Sequence, residues 1–235
     1  MTTLAHPSEY DRTGVTESRG LRRDASQNRT RVLEAARTVF ARNGLEAGVE
    51  EVARAAGVGI GTLYRRFPTK DALIAELVHE LLQEVVTLAH RSEQVAGGHG
   101  LEQFLYAMGE LQSRNRGCSA RFWTDDTSTA LRTQYRASLA NLLSDARLHK
   151  VVRDDASITD VDLLFWSLRG ILEVAGDSST PAWRRQIAIT LAGLRPSSEP
   201  LSEEPINDEL VARIFPANAR AVRRRRAENS TADPD

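Results

Sequence analysis

The nineteen residues Val49-Glu-Glu-Val-Ala-Arg-Ala-Ala-Gly-Val-Gly-Ile-Gly-Thr-Leu-Tyr-Arg-Arg-Phe67 leave few ways to fold. Glu50 to Ala56 has the make-up of a short helix, Gly57-Val58-Gly59 of a turn, and Gly61 to Phe67 of a second short helix. Ala53 and Ala56 are small enough to let the two helices approach at a steep angle. Gly57 stands where the first must end in a left-handed turn, a conformation cheap only for glycine. Val52, Val58, Leu63 and Phe67 then face inward and fix the crossing. Ile60, Gly61, Thr62, Tyr64, Arg65 and Arg66 are left outward. A hydroxyl, a phenol and two guanidinium groups on one short helix suit phosphate and base-edge contacts in a DNA major groove. That is the chemistry of a helix-turn-helix.

Two other readings compete for this segment. A nucleotide-binding glycine loop would need G-x-G-x-x-G, but Thr62 breaks that spacing and the run follows a helix rather than a strand. The other is a helical hairpin with no role on DNA. Charge favours the DNA reading. The whole chain carries a formal net charge of -1, yet Arg19 to Lys70 holds eleven Arg/Lys against five Asp/Glu. A positive excess confined to one segment is the footprint of a small nucleic-acid-binding module on a neutral body.

The remaining pattern is helical throughout. Residues 1–23 lack apolar periodicity and are expected to be a disordered arm. Asp24 and Gln27 resemble a capping box opening a helix that carries Val32, Leu33, Ala36, Val39 and Phe40 to a stop at Gly44. Thr69 is the expected N-cap of a long helix, with Asp71 in its first turn and a stripe from Leu73 to Val86. This helix reaches about Arg91, closes the first module and continues into the second, so it is the natural lever between them. Gly97-Gly98-His99-Gly100 interrupts the pattern, and Leu101 to Leu111 and Leu131 to Ala146 resume it. One further helix is expected from near Thr159 to Gly176, and another from Thr180-Pro181 to Leu194. With no alternating strand pattern, the fold class is all-α: a DNA-binding module at 24–75, a helical body at 76–195, and a mobile tail at 196–235. Leu210 to Phe215 has enough apolar character for a turn or two of helix, and Arg223-Arg-Arg-Arg226 reads as a solvated charge run that can touch phosphates.

Several function classes find no support. Cys118, the one cysteine, excludes an internal disulfide and suits a reducing, cytoplasmic setting. The start of the chain does not read as a signal peptide. No apolar run approaches the roughly 20 residues needed to span a bilayer, so no membrane partner is expected. The five histidines are scattered, His79-Glu80 has no second histidine at 83 for a zinc motif, and no Gly-x-Ser-x-Gly elbow occurs. No catalytic residue, metal or cofactor is expected.

Residues 27–78, from Gln-Asn-Arg-Thr-Arg-Val-Leu-Glu-Ala-Ala-Arg-Thr-Val-Phe through Gly-Thr-Leu-Tyr-Arg-Arg-Phe-Pro-Thr-Lys-Asp-Ala-Leu, resemble the N-terminal domain of TetR-family transcriptional regulators. The spacing Thr62-Leu63-Tyr64, Phe67, Lys70 and Leu73 is specific to that pattern. The resemblance implies three N-terminal helices that bind DNA and a C-terminal helical domain that dimerises and holds a small ligand. By position it implies that Thr62, Tyr64 and Lys70 hold phosphates, that Ile60 and Gly61 approach base edges, and that Arg65 and Arg66 add base or backbone contacts. One departure stands out. Where many members begin the second helix with Thr or Ser, this chain has Ala47-Gly48-Val49, which leaves the amides of that helix start as its contact with DNA.

In the second half, Leu168-Arg-Gly-Ile-Leu172 and Trp183 to Pro196 are similar to a subgroup of the family whose last two long helices pair with their symmetry mates. On that basis Leu164, Leu168, Ile171, Leu172, Ile187, Leu191 and Leu194 are the expected dimer interface, the alternative being that both stripes are internal core. Candidates for a ligand pocket are Phe104, Met108, Phe122, Trp123, Tyr135, Trp166 and Arg169, although residues of these types are more often plain core. The expected function is a homodimeric, sequence-specific DNA-binding transcriptional regulator, a repressor released from double-stranded operator DNA by a small-molecule effector. The alternative is a helical binding protein or enzyme carrying a hairpin with no DNA function.

Overall fold

The structure is a computed structural model that describes residues 13–118, 121–122, 128–178 and 180–214, with side chains described from residue 27 except at 177, 208 and 212. Among the described residues there are nine α-helices and no strand. They are α1 (Thr13–Asn43), α2 (Val49–Ala56), α3 (Ile60–Arg66), α4 (Lys70–Glu93), α5 (Gly100–Arg114), α6 (Thr129–Leu148), α7 (Ile158–Ala175), α8 (Thr180–Gly193) and α9 (Asp208–Ile214). Short 3-10 turns at Arg116–Cys118 and Gly176–Ser178 follow α5 and α7. None of the described helices is long and apolar enough to cross a membrane.

α1 begins at Thr13 and runs unbroken through Asp24, where the sequence suggested a helix start after a disordered arm. Nothing from Thr13 to Gln27 is a proline, so no residue forces the polar stretch out of helix. Its second half buries Val32, Leu33, Ala36, Val39 and Phe40, one residue or two per turn, against α2 and α4. α2 buries Val49, Val52, Ala53 and Ala56 and presents its acidic first turn outward.

α4 joins the two halves. Thr69 Oγ1 accepts from the Ala72 amide at 3.0 Å, and Asp71 lies in the first turn, so the helix starts where the sequence predicts. Leu73, Ile74, Leu77 and Val78 complete the N-terminal module, while Leu81, Leu82, Val85, Val86 and Ala89 are buried along α5 and α6. Arg29 of α1 is held by Glu76 and, at 2.9 Å, by Glu80; Arg37 reaches Glu80 at 3.1 Å. These pairs are partly exposed, so they add register between α1 and α4 more than stability.

The helical body centres on Phe104, which meets Phe165 edge to face with centroids 6.2 Å apart and Tyr135 at 6.2 Å. Arg136 of α6 and Asp162 of α7 form a buried ion pair at 2.5 Å. Asp162, near the start of its helix, is thus an interior residue. Ser157 and Asp160 instead form the capping box that opens α7, with reciprocal bonds of 3.2 and 2.7 Å. Trp183 of α8 is fully buried against Gly109, where an added Cβ would stand 2.7 Å from the indole ring.

The segment after Pro196, expected to be mobile, is fastened to the body as far as Ile214. Arg153 donates to the Glu199 carbonyl at 2.5 Å, the Leu201 amide donates to Asp155 at 3.1 Å, and Val211 of α9 is fully buried. The apolar residues of Leu210 to Ile214 supply the surface that makes this packing favourable. Arg223–Arg226 lie outside the described residues.

Candidate DNA interface and regulatory body

α2 ends in a Schellman arrangement. The Gly57 amide donates to Arg54 O at 3.2 Å, the Val58 amide donates to Ala53 O at 3.0 Å, and Gly57 takes φ +65°. A side chain at 57 would be strained in that conformation. The turn delivers the chain to Gly59, whose carbonyl accepts from Thr62 at 2.9 Å and Leu63 at 3.2 Å to start α3. Leu63 is fully buried and Phe67 nearly so, which locks α3 onto α2.

The opposite face of α3 is free. Ile60 is 41% exposed and Tyr64 43%, large values for such side chains, and Gly61, Arg65 and Arg66 are exposed beside them. Thr62 is half-buried and its hydroxyl accepts from Arg65 at 3.0 Å, which holds one guanidinium against the helix. Lys70 is half-buried in the first turn of α4. The structure therefore brings all seven sequence candidates to one outward face and its edge. Gly61 adds a detail. A Cβ there would meet nothing within 4 Å, so nothing within the chain requires glycine at this position.

The start of α2 is different. Gly48 is the N-cap without a side-chain bond, as the departure in sequence suggests. Glu50 folds its carboxylate over this end, with Oε2 2.7 Å from where a Gly48 Cβ would lie. Glu51 accepts from Asn43 at 2.6 Å and ties α2 to the end of α1. Two carboxylates at a helix N-terminus stabilise the helix and repel a phosphate approaching the same amides. Sequence reasoning passed over both residues, although acidic side chains in a first turn are visible in the sequence.

In the body, Phe104, Met108, Phe122 and Tyr135 are buried, Trp166 is partly buried, and Arg169 pairs with Glu173 at 2.8 Å. Trp123 lies outside the described residues. Two interior polar groups stand out. The Tyr135 hydroxyl and both amide atoms of Gln112 are shielded from solvent without a hydrogen-bond partner among the described residues. Burial, and then the Asp162 carboxylate, push the Tyr135 phenol well above its ordinary range, so it remains a neutral donor. Gln112 was missed in the sequence. Its signal was a polar residue four positions after Met108 on an otherwise apolar stripe. Burial also raises the Cys118 thiol to about 11, which makes it inert rather than reactive.

Of the expected interface residues, Leu164, Leu168, Leu172, Ile187 and Leu194 are buried in the chain's own core, and Ile171 and Leu191 are partly buried against it. The stripe that the resemblance implied for pairing faces inward in the single chain, as the alternative of internal core has it. The outward apolar residues of α7 and α8 are Leu163, 44% exposed, Val174, 91%, and Ile189, 53%.

The comparisons agree with this architecture. Residues 32–77 match the family described as bacterial regulatory proteins, tetR family. The HTH-type transcriptional regulator UidR of Escherichia coli K12 is 32% identical over 89 residues, which span 37% of this chain and 44% of that protein. The chain thus accounts for less than half the length of this curated relative. Likeness to solved structures extends further. A TetR transcriptional regulator from Streptomyces coelicolor is 27% identical with a TM-score of 0.54, covering 72% of this chain and 99% of that one. A TetR transcription regulatory protein from Mycobacterium vanbaalenii is 30% identical with a TM-score of 0.54, covering 74% of this chain and 99% of that one. With a family-specific helix-turn-helix at its start and helices that match a solved relative over nearly all of that relative's length, the chain belongs to the TetR family of bacterial transcriptional regulators.

Proposed function

We propose that this protein is a cytoplasmic homodimeric repressor that binds a two-fold related operator through α3 and leaves it when a small molecule enters the helical body. One observation carries the DNA reading: the exposed row Ile60, Gly61, Tyr64 and Arg65 stands on a helix whose other face is locked by Leu63 and Phe67. Thr62, Tyr64 and Lys70 then hold phosphates, Ile60 and Gly61 approach base edges, and Arg65 and Arg66 add base or backbone contacts. Two copies are needed because a single seven-residue recognition helix reads too few base pairs for operator-level affinity. The pairing surface is the outward face of α7 and α8, with Leu163, Val174 and Ile189 meeting their mates, in place of the buried residues that the resemblance implied.

The effector enters beside Phe104, Met108 and Tyr135, where Gln112 and the Tyr135 hydroxyl offer polar anchors in apolar surroundings. By linkage, it releases DNA only if it binds better to the arrangement of the two heads that does not fit the operator. Selection of bound sequences from random DNA tests the reading: a palindrome with half-sites about one helical turn apart is expected. Recovery of no sequence preference would overturn it. In gel-shift titrations at fixed salt, Tyr64→Ala and Lys70→Ala should each weaken binding by about 1–3 kcal/mol. Unchanged affinity in both would remove those two contacts from the account.

A further inference from the structure

A cleft of about 620 Å3 lies away from the Phe104 interior, between α6, the start of α7 and the segment before α9. Leu143, Ser144 and Arg147 form one wall, Ile158 and Thr159 another, and Ile206 closes the third. The volume falls in the range of small-molecule sites, and the lining is of mixed character, apolar with a few hydroxyls and one cation.

That cation is unusual in its surroundings. Three other arginines of the body face an acid: Arg136 has Asp162, Arg153 has Asp155, and Arg169 has Glu173. Arg147 has none among the described residues. One terminal nitrogen donates to the Ala156 carbonyl, and its Nε is shielded from solvent with no acceptor. A guanidinium that is half-withdrawn from water with no counter-ion, and with donors left over, has capacity for an anion. Its planar fork fits a carboxylate better than any other side chain does. The other residues of the cleft suit the remainder of such a ligand: Leu143, Ile158 and Ile206 offer apolar surface, while Ser144 and Thr159 carry hydroxyls.

The third wall is held in place. Arg153 and Asp155 grip the chain at Glu199 and Leu201, and buried Val211 anchors it beyond the cleft. We infer that this cleft binds an aliphatic monocarboxylate, its headgroup on Arg147 and its chain between Ile158 and Ile206, with the 199–207 segment as a fastened cover. The site shares no residue with α3 or with the interior around Phe104, so it stands or falls independently of the proposed operator and effector.

Titration of the full chain with octanoate, followed by backbone amide resonances, tests the assignment. Saturable shifts at Ser144, Ile158 and Ile206 are expected, with 1-octanol weaker and octylammonium not binding there. Arg147→Gln should weaken octanoate by about tenfold or more, a free-energy change of about 1.4 kcal/mol. Shifts that fail to saturate, equal binding of octylammonium, or undiminished binding in Arg147→Gln would each overturn the proposal. Should that variant fail to fold, Ser144→Trp fills the cleft from an exposed position while keeping the Arg147 bond to Ala156. Loss of octanoate binding supports the site, and retained binding refutes it.

Discussion

The Nε of Arg116 donates to the carbonyl oxygen of Ala41 at 2.9 Å, so a 3-10 turn of the helical body bonds directly to the last turn of α1 in the DNA-binding module. The next residue makes the approach closer still. A Cβ on Gly117 would lie 2.0 Å from the Phe40 carbonyl oxygen, and that neighbour is backbone that cannot swing aside. Gly117→Ala should therefore push the turn off α1 and lower stability by about 1–3 kcal/mol, as overpacking does. Thermal melts would detect it, and a midpoint equal to that of the parent would contradict the contact.

Gly61 calls for the opposite result. Its Cβ position is open and α3 is a helix, so Gly61→Ala should leave stability unchanged or raise it by up to about 1 kcal/mol. If bases approach this position, the added methyl group interferes with them, and operator affinity should fall by about tenfold or more. A variant that folds better and still binds DNA as tightly would show that α3 does not approach bases there.

The pairing surface is tested by charge. Leu163 and Val174 are exposed in the single chain, so Leu163→Asp with Val174→Asp should leave the melt within about 0.5 kcal/mol of a monomer's stability. Sedimentation should nonetheless show monomers. A dimer that persists would move the interface elsewhere, whereas Leu168→Asp, fully buried, should unfold the chain whatever its oligomeric state.

The fastening of the 199–207 segment depends on pH. Hydrogen bonds from Arg153, then from the Leu201 amide, hold the Asp155 carboxyl at about 2, below its ordinary 3.8. A depressed carboxylate pKa contributes stability that is complete above the unfolded value and lost as pH falls through the folded one. The Leu201 contact should stay closed above about pH 4 and loosen between pH 4 and 2, with salt weakening it because the pair is near the surface. Amide exchange at Leu201 across this window would show it, and protection that does not change down to pH 2 would exclude the role. Asp155→Asn should remove the pH dependence.

Much of this architecture was legible in the sequence because local chemistry and tertiary need coincide. Gly57 marks the Schellman turn, Thr69 caps α4, and the outward residues of α3 follow once Leu63 and Phe67 are placed inside. The second half was harder. Periodicity reveals that α7 has an apolar stripe from Leu164 to Leu172, but not whether its own chain or a second one covers it; packing against α5, where Phe104 meets Phe165 from some sixty residues away, decides that. The start of α1 and the docked segment after Pro196 were also missed. A polar run without proline gives no start signal, and the fastening depends on Arg153 and Asp155, more than forty residues from the segment they hold.

α4 converts angle into distance. Its 24 residues span about 36 Å at roughly 1.5 Å per residue. Its first turns are set in the module that carries α3 and its last turns in the body. A tilt of about 5° at the body end thus carries α3 sideways by about 3 Å, close to the rise of one base pair of B-DNA. Two such heads moving apart would be out of step with the groove by about two base pairs in total, while each recognition helix kept its own shape. Release of DNA would need no unfolding, no loss of α3 and no change in any residue that touches a base.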